Sequence, residues 1–385
     1  MEIDYGKQLN ELKQSGINIS GSDTDDWVRQ KNTVEHVGMF KLMEHASQLT
    51  NNNSNVSFKD LVDRYFRDQH LKLFILKAIE DIEVSVNSHI ACVLSDENDS
   101  LEYRDFFNWC NSNCYNKYLK RNIRKHGKKR KVKEYMDDVF IFKNEKEILN
   151  YIKGQASQMN KKTSELFLES NNKVPVELAM HLLTFGKTIR VICLMKPEFQ
   201  YKLADFYKCS PDKLIKWLRP LNLIRNICCH NGNLIDYSFT TKPPLVDEYR
   251  SFLYKKKSHD KTVYSNKIAC VLVVIVRLMS VVNPQFKYKD ILNCLERLVT
   301  TDAEAQKIGF KDYKSMILLF TQNVSIKRSQ KEAKKPFSKK IYQVKKNIQN
   351  SHVKHSKKVK RIKALCKKSS CIIKCKVNRH NNPIY

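Results

Sequence analysis

Glycine and proline are scarce in this chain, with nine of each among 385 residues. Both residues break helices and occupy most tight turns, so their scarcity argues for a mostly helical protein. Apolar residues make up 42% of the chain and recur at helical spacing over long segments. The sequence therefore predicts an all-α fold, a helical bundle with additional helices, long enough for one large core or two small ones.

Long apolar runs are also missing. The most apolar segment, residues 268–282, contains Arg277 and is shorter than the roughly 20 residues that a membrane-spanning helix needs. We predict a buried helix there instead, beside the helix that carries the motif described below. The first residues, Met-Glu-Ile-Asp-Tyr, contain neither a basic region nor an apolar core, so we expect no secretion, no membrane partner and a cytoplasmic location.

Paired Cys-x-x-Cys motifs are absent, although the chain has 12 cysteines. The spacing of Cys110 and Cys114, and that of the cysteines in residues 366–375 with His380, differs from the spacing of zinc sites. No metal site and no cofactor are therefore predicted. Without a secretion signal, the cysteines are expected to be reduced thiols, many of them buried.

Acidic residues are few, with 40 Asp and Glu against 70 Lys and Arg, a net charge of +30. From Lys327 onward there are 20 Lys or Arg and one acid, so residues 326–385 are expected to form a Lys-rich, disordered tail. This tail either binds a polyanion or is a solvated extension; no amphipathic stripe supports binding to an anionic membrane.

A second basic run covers residues 117–133, which contain ten Lys or Arg and no acid. Tyrosine within the run can stack on unpaired bases, and each neutralised phosphate adds salt-sensitive affinity, so RNA is the predicted partner. The predicted RNA-binding residues are Lys117, Tyr118, Lys120, Arg121, Arg124, Lys125, Lys128, Lys129, Arg130, Lys131 and Lys133.

Apolar spacing predicts a long helix over residues 71–94, with apolar side chains at 71, 74, 75, 78, 79, 82, 86, 90 and 93. Glu80 and Glu83 lie one turn apart beside that stripe. They either orient a catalytic side chain or are solvated and paired structurally.

A second helix is predicted to start at Ser210-Pro211, to be kinked at Pro220 and to end at Asn231-Gly232, because both of these last residues tolerate left-handed backbone. Its last turns place Arg225 and Asn226 on the polar side, with His230 at the terminus.

Four Arg–His pairs in the chain are separated by four to six residues, and only Arg225 and His230 lie at the end of an apolar helix. The pair within residues 121–126 lies in a basic stretch without an apolar face to fix its geometry. The structural alternative for His230 is a histidine favoured by the macrodipole at the helix C-terminus.

The wider chain resembles the Abi family of bacterial abortive-infection proteins, of the AbiD/AbiF type, which is part of the HEPN superfamily. Residues 225–231, Arg-Asn-Ile-Cys-Cys-His-Asn, are close to the family signature Arg-Asn-Ile-Cys-Ala-His-Asn. Three earlier segments, residues 7–17, 58–86 and 174–187, also resemble segments of the family and occur in the same order. We therefore expect an Abi/HEPN-like helical domain over residues 1–325, in which residues 100–170 form an inserted helical lobe that grips RNA.

The resemblance implies a metal-independent endoribonuclease that acts in phage defence or as a toxin. His230 would take a proton from a ribose 2′-hydroxyl, Arg225 would hold the scissile phosphate, and Asn226 would orient the substrate or the histidine. Asn231, Glu80 and Glu83 are candidates for positioning these three. In nucleases of this superfamily two motif helices lie opposite each other across one cleft, so a single motif in the chain implies a homodimer. An antitoxin or a phage component is the expected trigger.

Two features differ from the family pattern. The family has Arg-Leu soon after the histidine, where this chain has Asn233-Leu234, and residues 22–45 match weakly. Two other functions stay open at this point: a catalytically inactive HEPN-type protein that sequesters or scaffolds RNA, and a structural protein whose basic segments dock an acidic partner.

Overall fold

The computed structural model describes residues 4–22, 24–50, 56–95, 100–111, 129–168, 173–240, 245–258 and 261–321. Within these ranges nearly all regular structure is helical, which confirms the all-α prediction. The α-helices are α1 Tyr5–Gln14, α2 Asp25–Val37, α3 Met39–Thr50, α4 Phe58–Leu94, α5 Phe106–Trp109, α6 Lys129–Ala156, α7 Lys161–Phe167, α8 Val176–His181, α9 Phe185–Leu194, α10 Pro197–Phe206, α11 Pro211–Cys229, α12 Ala269–Val282, α13 Lys289–Leu298, α14 Asp302–Lys307 and α15 Tyr313–Thr321.

Two small sheets and two 3₁₀ turns complete the described structure. Strands β1 Ile17–Asn18 and β2 Val56–Ser57 pair in parallel. Strands β3 Lys255–Ser258 and β4 Lys261–Tyr264 form an antiparallel hairpin. The 3₁₀ turns span Glu102–Arg104 and Asp247–Phe252.

Helix α4 is the central element and is longer than the sequence predicts. It starts after Ser57, whose side chain accepts a hydrogen bond from the Asp60 amide at 3.1 Å, and continues for 37 residues. The predicted start at residue 71 is wrong because polar residues interrupt the apolar stripe before that point. Asp68 occupies a buried position of the same face just before residue 71, so an apolar-spacing criterion loses the helix there.

Two hydrophobic cores lie along α4. The smaller one, formed by α1, α2, α3, the β1–β2 pair and the first two turns of α4, includes the buried residues Leu9, Leu42 and Leu61. The larger one surrounds the rest of α4 and includes buried residues of α8 to α13. Helix α4 thus connects a small amino-terminal core to the main core, and the site described below lies where the two meet.

Helix α12 is the buried helix predicted over residues 268–282, and it packs against α4 and α11 as expected. Arg277 lies within it at 1% exposure. Its guanidinium donates to the carbonyl oxygens of Tyr207 and Lys208, each at 3.1 Å, and lies 5.6 Å from the centre of the Trp217 ring. These contacts, with two residues that follow α10 and with a tryptophan of α11, satisfy part of the buried charge and explain why an arginine is tolerated in this helix.

The two basic segments and part of the predicted insertion lie wholly or partly outside the described residues. The chain divides into the units Met1–Ile326 and Lys327–Tyr385, and the second unit holds none of the described residues. Residues 117–128 are likewise outside them, and the predicted gripping of RNA by residues 100–170 stays a prediction. In the part of the chain that is described, no helix is long and apolar enough to cross a membrane.

Candidate functional site

Helix α11 begins as the sequence predicts. The Ser210 side chain accepts a hydrogen bond from the Lys213 amide at 3.4 Å, and Pro211 is the first helical residue. The helix continues through Pro220 to Cys229. Its buried face consists of Leu214, Trp217, Leu218, Leu221 and Ile224, which pack in the main core. This packing fixes the axis of the helix whose last turns carry the Arg-Asn-x-x-x-His motif.

The end of α11 is a Schellman motif. His230 is the C-cap, and the Asn231 and Gly232 amides donate back to the carbonyl oxygens of Cys228 at 3.3 Å and Ile227 at 2.9 Å. Asn231 is the left-handed residue, with φ of 52°. The predicted end of the helix is thus confirmed, and the asparagine, not the glycine, supplies the unusual backbone conformation.

The three motif side chains differ in exposure. Arg225 is half-buried, whereas Asn226 and His230 are exposed. Among the described residues, none of the three side chains takes part in a hydrogen bond or an ion pair with another protein group. The structure therefore places the three at one helix end with their polar atoms available to a ligand, and no direct contact joins them to one another.

Glu83 is the predicted positioning residue that the structure brings near the motif. Burial raises the pKa of its carboxyl above the ordinary value, the charge of Arg225 opposes that shift, and Glu80 adds to it. Glu83 of α4 and Arg225 of α11 thus interact electrostatically, but no carboxylate oxygen of Glu83 lies within 4 Å of a guanidinium nitrogen of Arg225. Glu80 is exposed on the same side of α4. Roles for Glu80 and Glu83 in positioning Arg225 remain predictions.

Asn231 is held by polar side chains of α4. The Lys72 ammonium donates to Asn231 Oδ1 at 2.8 Å and to the Gly232 carbonyl oxygen at 3.0 Å. Asn231 Nδ2 donates to the Tyr65 hydroxyl oxygen at 3.2 Å, and Gln69 also approaches Oδ1 at 3.5 Å. These bonds tie the residue that follows His230 to the middle of α4.

Asp68 fixes the next residues of the segment that follows α11, residues 231–236, which is called the clamped turn below. Its carboxylate accepts the amides of Leu234 at 3.2 Å and Ile235 at 2.9 Å, and it lies 3.2 Å from the Lys72 ammonium. Asp68 is fully buried and Lys72 is 5% exposed. A buried carboxylate is tolerated only when its charge and lone pairs are matched, and here a cation and two backbone N–H groups do so. Tyr65, Asp68, Gln69 and Lys72 are called the α4 clamp below.

The far end of the turn is fastened to α3 and α4. Arg64 donates to Asp236 at 2.5 Å, and Asn233 donates to the Glu44 carbonyl oxygen at 3.0 Å and to Asp236 at 2.9 Å. Burial lowers the pKa of His45, whose Nδ1 lies 3.9 Å from Asp236. Asn233 thus links the turn to the amino-terminal core, and its side-chain amide bonds to protein groups.

Substitution of Asn231 should separate backbone strain from side-chain bonding. Asn231→Ala loses the bonds to Lys72 and Tyr65, and alanine tolerates left-handed backbone less well than asparagine does, so we expect destabilisation by about 2–4 kcal/mol. Asn231→Gly loses the same bonds without the strain and should be about 1 kcal/mol more stable than the alanine variant. Urea unfolding of both variants measures the difference, and equal midpoints would refute the strained conformation.

A cleft of about 300 Å³ lies beside the end of α11, between that helix and α4. His70, Leu73 and Leu76 of α4 line it together with Cys228 and Asn231. Burial raises the pKa of the Cys228 thiol to about 12, with a small opposing effect of Lys72. A thiol with that pKa stays protonated at cellular pH, which argues against Cys228 as a nucleophile partnered by His230.

The predicted RNA-binding residues are placed only in part. Lys117, Tyr118, Lys120, Arg121, Arg124, Lys125 and Lys128 lie outside the described residues. Lys129, Arg130, Lys131 and Lys133 lie in the first turns of α6, and their side chains are not described. Elsewhere in the described ranges, no group of three or more His, Cys, Asp or Glu side chains is arranged to hold a metal ion.

Sequence reasoning missed the α4 clamp. The signal was the position of Tyr65, Asp68 and Lys72 at three- and four-residue spacing between Leu61 and Ile75, on the face that is otherwise apolar. Two opposite charges at i and i+4 within such a face indicate a buried ion pair, because neither would be buried alone.

The fold and the site together define an all-α protein in which an Arg-Asn-x-x-x-His motif ends a core helix and is clamped by a second helix. The profile of the family described as Abi-like protein matches residues 32–236, more than half of the chain. This chain belongs to the Abi-like protein family, whose name indicates abortive infection and hence phage defence. No curated protein and no solved structure matches it. The matched region ends at Asp236, the last residue of the clamped turn.

Proposed function

We propose that this protein is a metal-independent endoribonuclease of phage defence, of the AbiD/AbiF type within the HEPN superfamily, whose catalytic residues are Arg225, Asn226 and His230. One observation carries the proposal. The three motif side chains make no bond to another described protein group, and the backbone of the helix end that carries them is held in place. Catalytic groups need fixed positions, and the Schellman motif and the α4 clamp supply them at this helix end.

The reaction proposed is transesterification within RNA. A neutral His230 ring nitrogen removes the proton of a ribose 2′-hydroxyl, and the resulting oxygen attacks the adjacent phosphorus. The bond from phosphorus to the 5′-oxygen breaks, that oxygen takes up a proton from water, and His230 returns the proton it removed to the solvent. Arg225 binds the non-bridging phosphate oxygens, on which negative charge increases in the transition state. The products end in 2′,3′-cyclic phosphate and 5′-hydroxyl, and DNA, which lacks the nucleophile, stays intact.

Charge supports RNA as the substrate. The last 59 residues carry 20 Lys or Arg and one acid, and residues 117–133 carry ten Lys or Arg and no acid. Such segments bind a polyanion without reading its sequence. We propose that they hold RNA while the motif cleaves it, in the cytoplasm, after an antitoxin is removed or a phage component binds.

Exposed apolar side chains beside the motif support a homodimer with a composite site. Phe66, Leu73 and Val84 on α4 and Leu223 on α11 are 44%, 62%, 54% and 38% exposed. Leu73 also lines the cleft that contains Asn231. A second copy of the chain that covers these side chains would bring its own Arg225 and His230 to the same cleft, as HEPN nucleases do.

The proposal is tested with purified protein, total bacterial RNA and EDTA, followed by chemical mapping of the new 3′ ends. Wild type is expected to produce cyclic-phosphate ends. Arg225→Ala is expected to slow cleavage about 10²- to 10³-fold, as loss of one transition-state donor does. Arg219→Ala is the matched control, because Arg219 is an exposed arginine on the same helix. Equal cleavage by Arg225→Ala and Arg219→Ala would reject the assigned site.

One observation favours a second function, RNA binding without cleavage. Asn233 stands where the family has arginine, and its side chain bonds to Glu44 and Asp236. A phosphate contact from that position is therefore lost. Tight RNA binding by wild type, Arg225→Ala and His230→Ala, with no new ends in any digest and with a phage lysate added as trigger, would identify a protein that sequesters or scaffolds RNA.

A further inference from the structure

A second cavity, of about 510 Å³, lies on the other side of the clamped turn. It is bounded by the end of α3, the β3–β4 hairpin and the segment from the end of α13 through α14. Arg64 and Asp236, which bond to each other behind the motif, form its inner wall. Its volume is that of an ordinary small-ligand site.

Both acidic side chains in this cavity already have hydrogen-bond partners. Asp236 accepts from Arg64 and Asn233. Glu304 accepts the amides of Thr300 at 2.7 Å and Thr301 at 3.1 Å as part of the cap of α14. Burial acts to raise the pKa of Glu304, but these hydrogen bonds outweigh it and hold the pKa below its ordinary value. Asp236 is thus paired with Arg64, whereas Glu304 is hydrogen-bonded and keeps its negative charge.

Three lysines line the same cavity without an acidic partner. Lys256 projects from the hairpin, Lys267 from the segment that leads into α12, and Lys307 from the end of α14. Among the described residues none of the three forms an ion pair. Lys267 donates only to the Asp236 carbonyl oxygen at 3.3 Å, and Lys256 lies 5.8 Å from the centre of the Tyr254 ring. With these three lysines and Arg64 against two carboxylates, the lining carries a net positive charge, which attracts an anion with several negative charges.

The other lining residues can bind a flat aromatic ring that carries polar groups at its edge. Tyr254 and Tyr264 line the cavity on the hairpin side, and Gln48 and Asn266 contribute amide groups. Base–tyrosine stacking and amide hydrogen bonds are how proteins hold nucleobases. A ligand with a base at one end and several phosphates at the other matches both halves of the lining.

We propose that this cavity binds a nucleoside polyphosphate, with Lys256, Lys267 and Lys307 on the phosphates and Tyr254 and Tyr264 beside the base. The ligand is either a free nucleoside triphosphate or the 5′-triphosphate end of an RNA, which presents the same chemistry. It would lie against Asp236, on the side of the clamped turn opposite the α4 clamp. The site is separate from the proposed cleavage chemistry and stands if that chemistry fails.

Calorimetric titration of the full-length chain tests the proposal with ATP, GTP, inorganic tripolyphosphate and short RNAs that carry a 5′-triphosphate or a 5′-hydroxyl. The Lys256→Gln/Lys307→Gln variant changes two exposed lysines, so folding is preserved. Because the basic tail also attracts phosphates, Lys339→Gln/Lys340→Gln, which removes the same charge from the tail, serves as the matched control.

The cavity variant is expected to bind ATP or the triphosphorylated RNA at least about tenfold more weakly than wild type, and the tail variant within about twofold. Preference for ATP over the RNA, or the reverse, identifies which source supplies the ligand. No binding by wild type, or equal loss in the two variants, overturns the proposal. Tripolyphosphate that binds as tightly as ATP overturns the nucleoside part.

Discussion

Asp68→Asn is expected to lower the free energy of unfolding by about 3–5 kcal/mol, although the substitution changes neither size nor shape. The carboxylate of Asp68 is fully buried, balances the Lys72 ammonium and accepts the amides of Leu234 and Ile235. An asparagine side chain carries no charge and has a single acceptor oxygen. The variant therefore leaves a buried lysine unpaired and one of the two amides without an acceptor. The midpoint of urea unfolding, with m unchanged, measures the loss.

Asp63→Asn is the matched control for that experiment. Asp63 lies on the same helix, and its carboxylate is 3.9 Å from Arg67 with both side chains more than 40% exposed. An exposed pair of this kind contributes about 1 kcal/mol or less. A similar decrease in the free energy of unfolding in Asp63→Asn and Asp68→Asn would show that buried Asp68 contributes no more to stability than an exposed ion pair does.

The pairing of Asp68 with Lys72 also predicts non-additivity. In the Asp68→Asn background, Lys72→Met removes the unpaired buried charge, so the double variant is expected to be more stable than the sum of the two single losses. Additive losses would mean that the two side chains act independently. The same variants also test whether the clamp matters for function, because the clamp holds the turn that follows His230.

The sequence allowed the motif helix to be predicted in detail because its signals are local. A serine cap, a proline in the first turn, apolar spacing and an Asn-Gly end each depend on neighbours within four residues. The structure bears out the start at Ser210 and the closure of the helix by Asn231-Gly232, with Asn231 in the left-handed conformation. The buried helix α12 was predictable for the same reason, since an uninterrupted apolar run indicates burial on all sides.

What holds the motif in place could not be predicted, because it depends on pairs distant in sequence. Asp68 reaches Leu234 and Ile235, and Arg64 reaches Asp236, across separations of more than 160 residues. One sequence alone does not show which residues far apart along the chain are paired in the fold. The polar residues of α4 also hid the first part of that helix, so the prediction started at residue 71. The cavity lysines were likewise invisible, because Lys256, Lys267 and Lys307 come from three separate elements.

His230→Ala is expected to slow RNA cleavage by about 10²- to 10⁴-fold, the usual contribution of a general base. The His230 side chain is exposed and makes no hydrogen bond to another described residue, so the stability of the fold should change by less than about 0.5 kcal/mol. RNA affinity should be kept, because phosphate binding is assigned to Arg225 and to the basic segments. The matched control is His36→Ala, since His36 is also exposed and lies in the last turn of helix α2.

The same variant tests the composite site when it is combined with Arg225→Ala. Two differently tagged copies, one with each substitution, are co-expressed and the heterodimer is purified through both tags. In a shared cleft the heterodimer retains one Arg225 and one His230, so it is expected to cleave faster than either homodimeric variant. If each chain worked alone, every copy would lack one of the two groups and the heterodimer would be as slow as its parents. Failure to isolate any heterodimer from wild-type copies carrying the same two tags would reject the dimer itself.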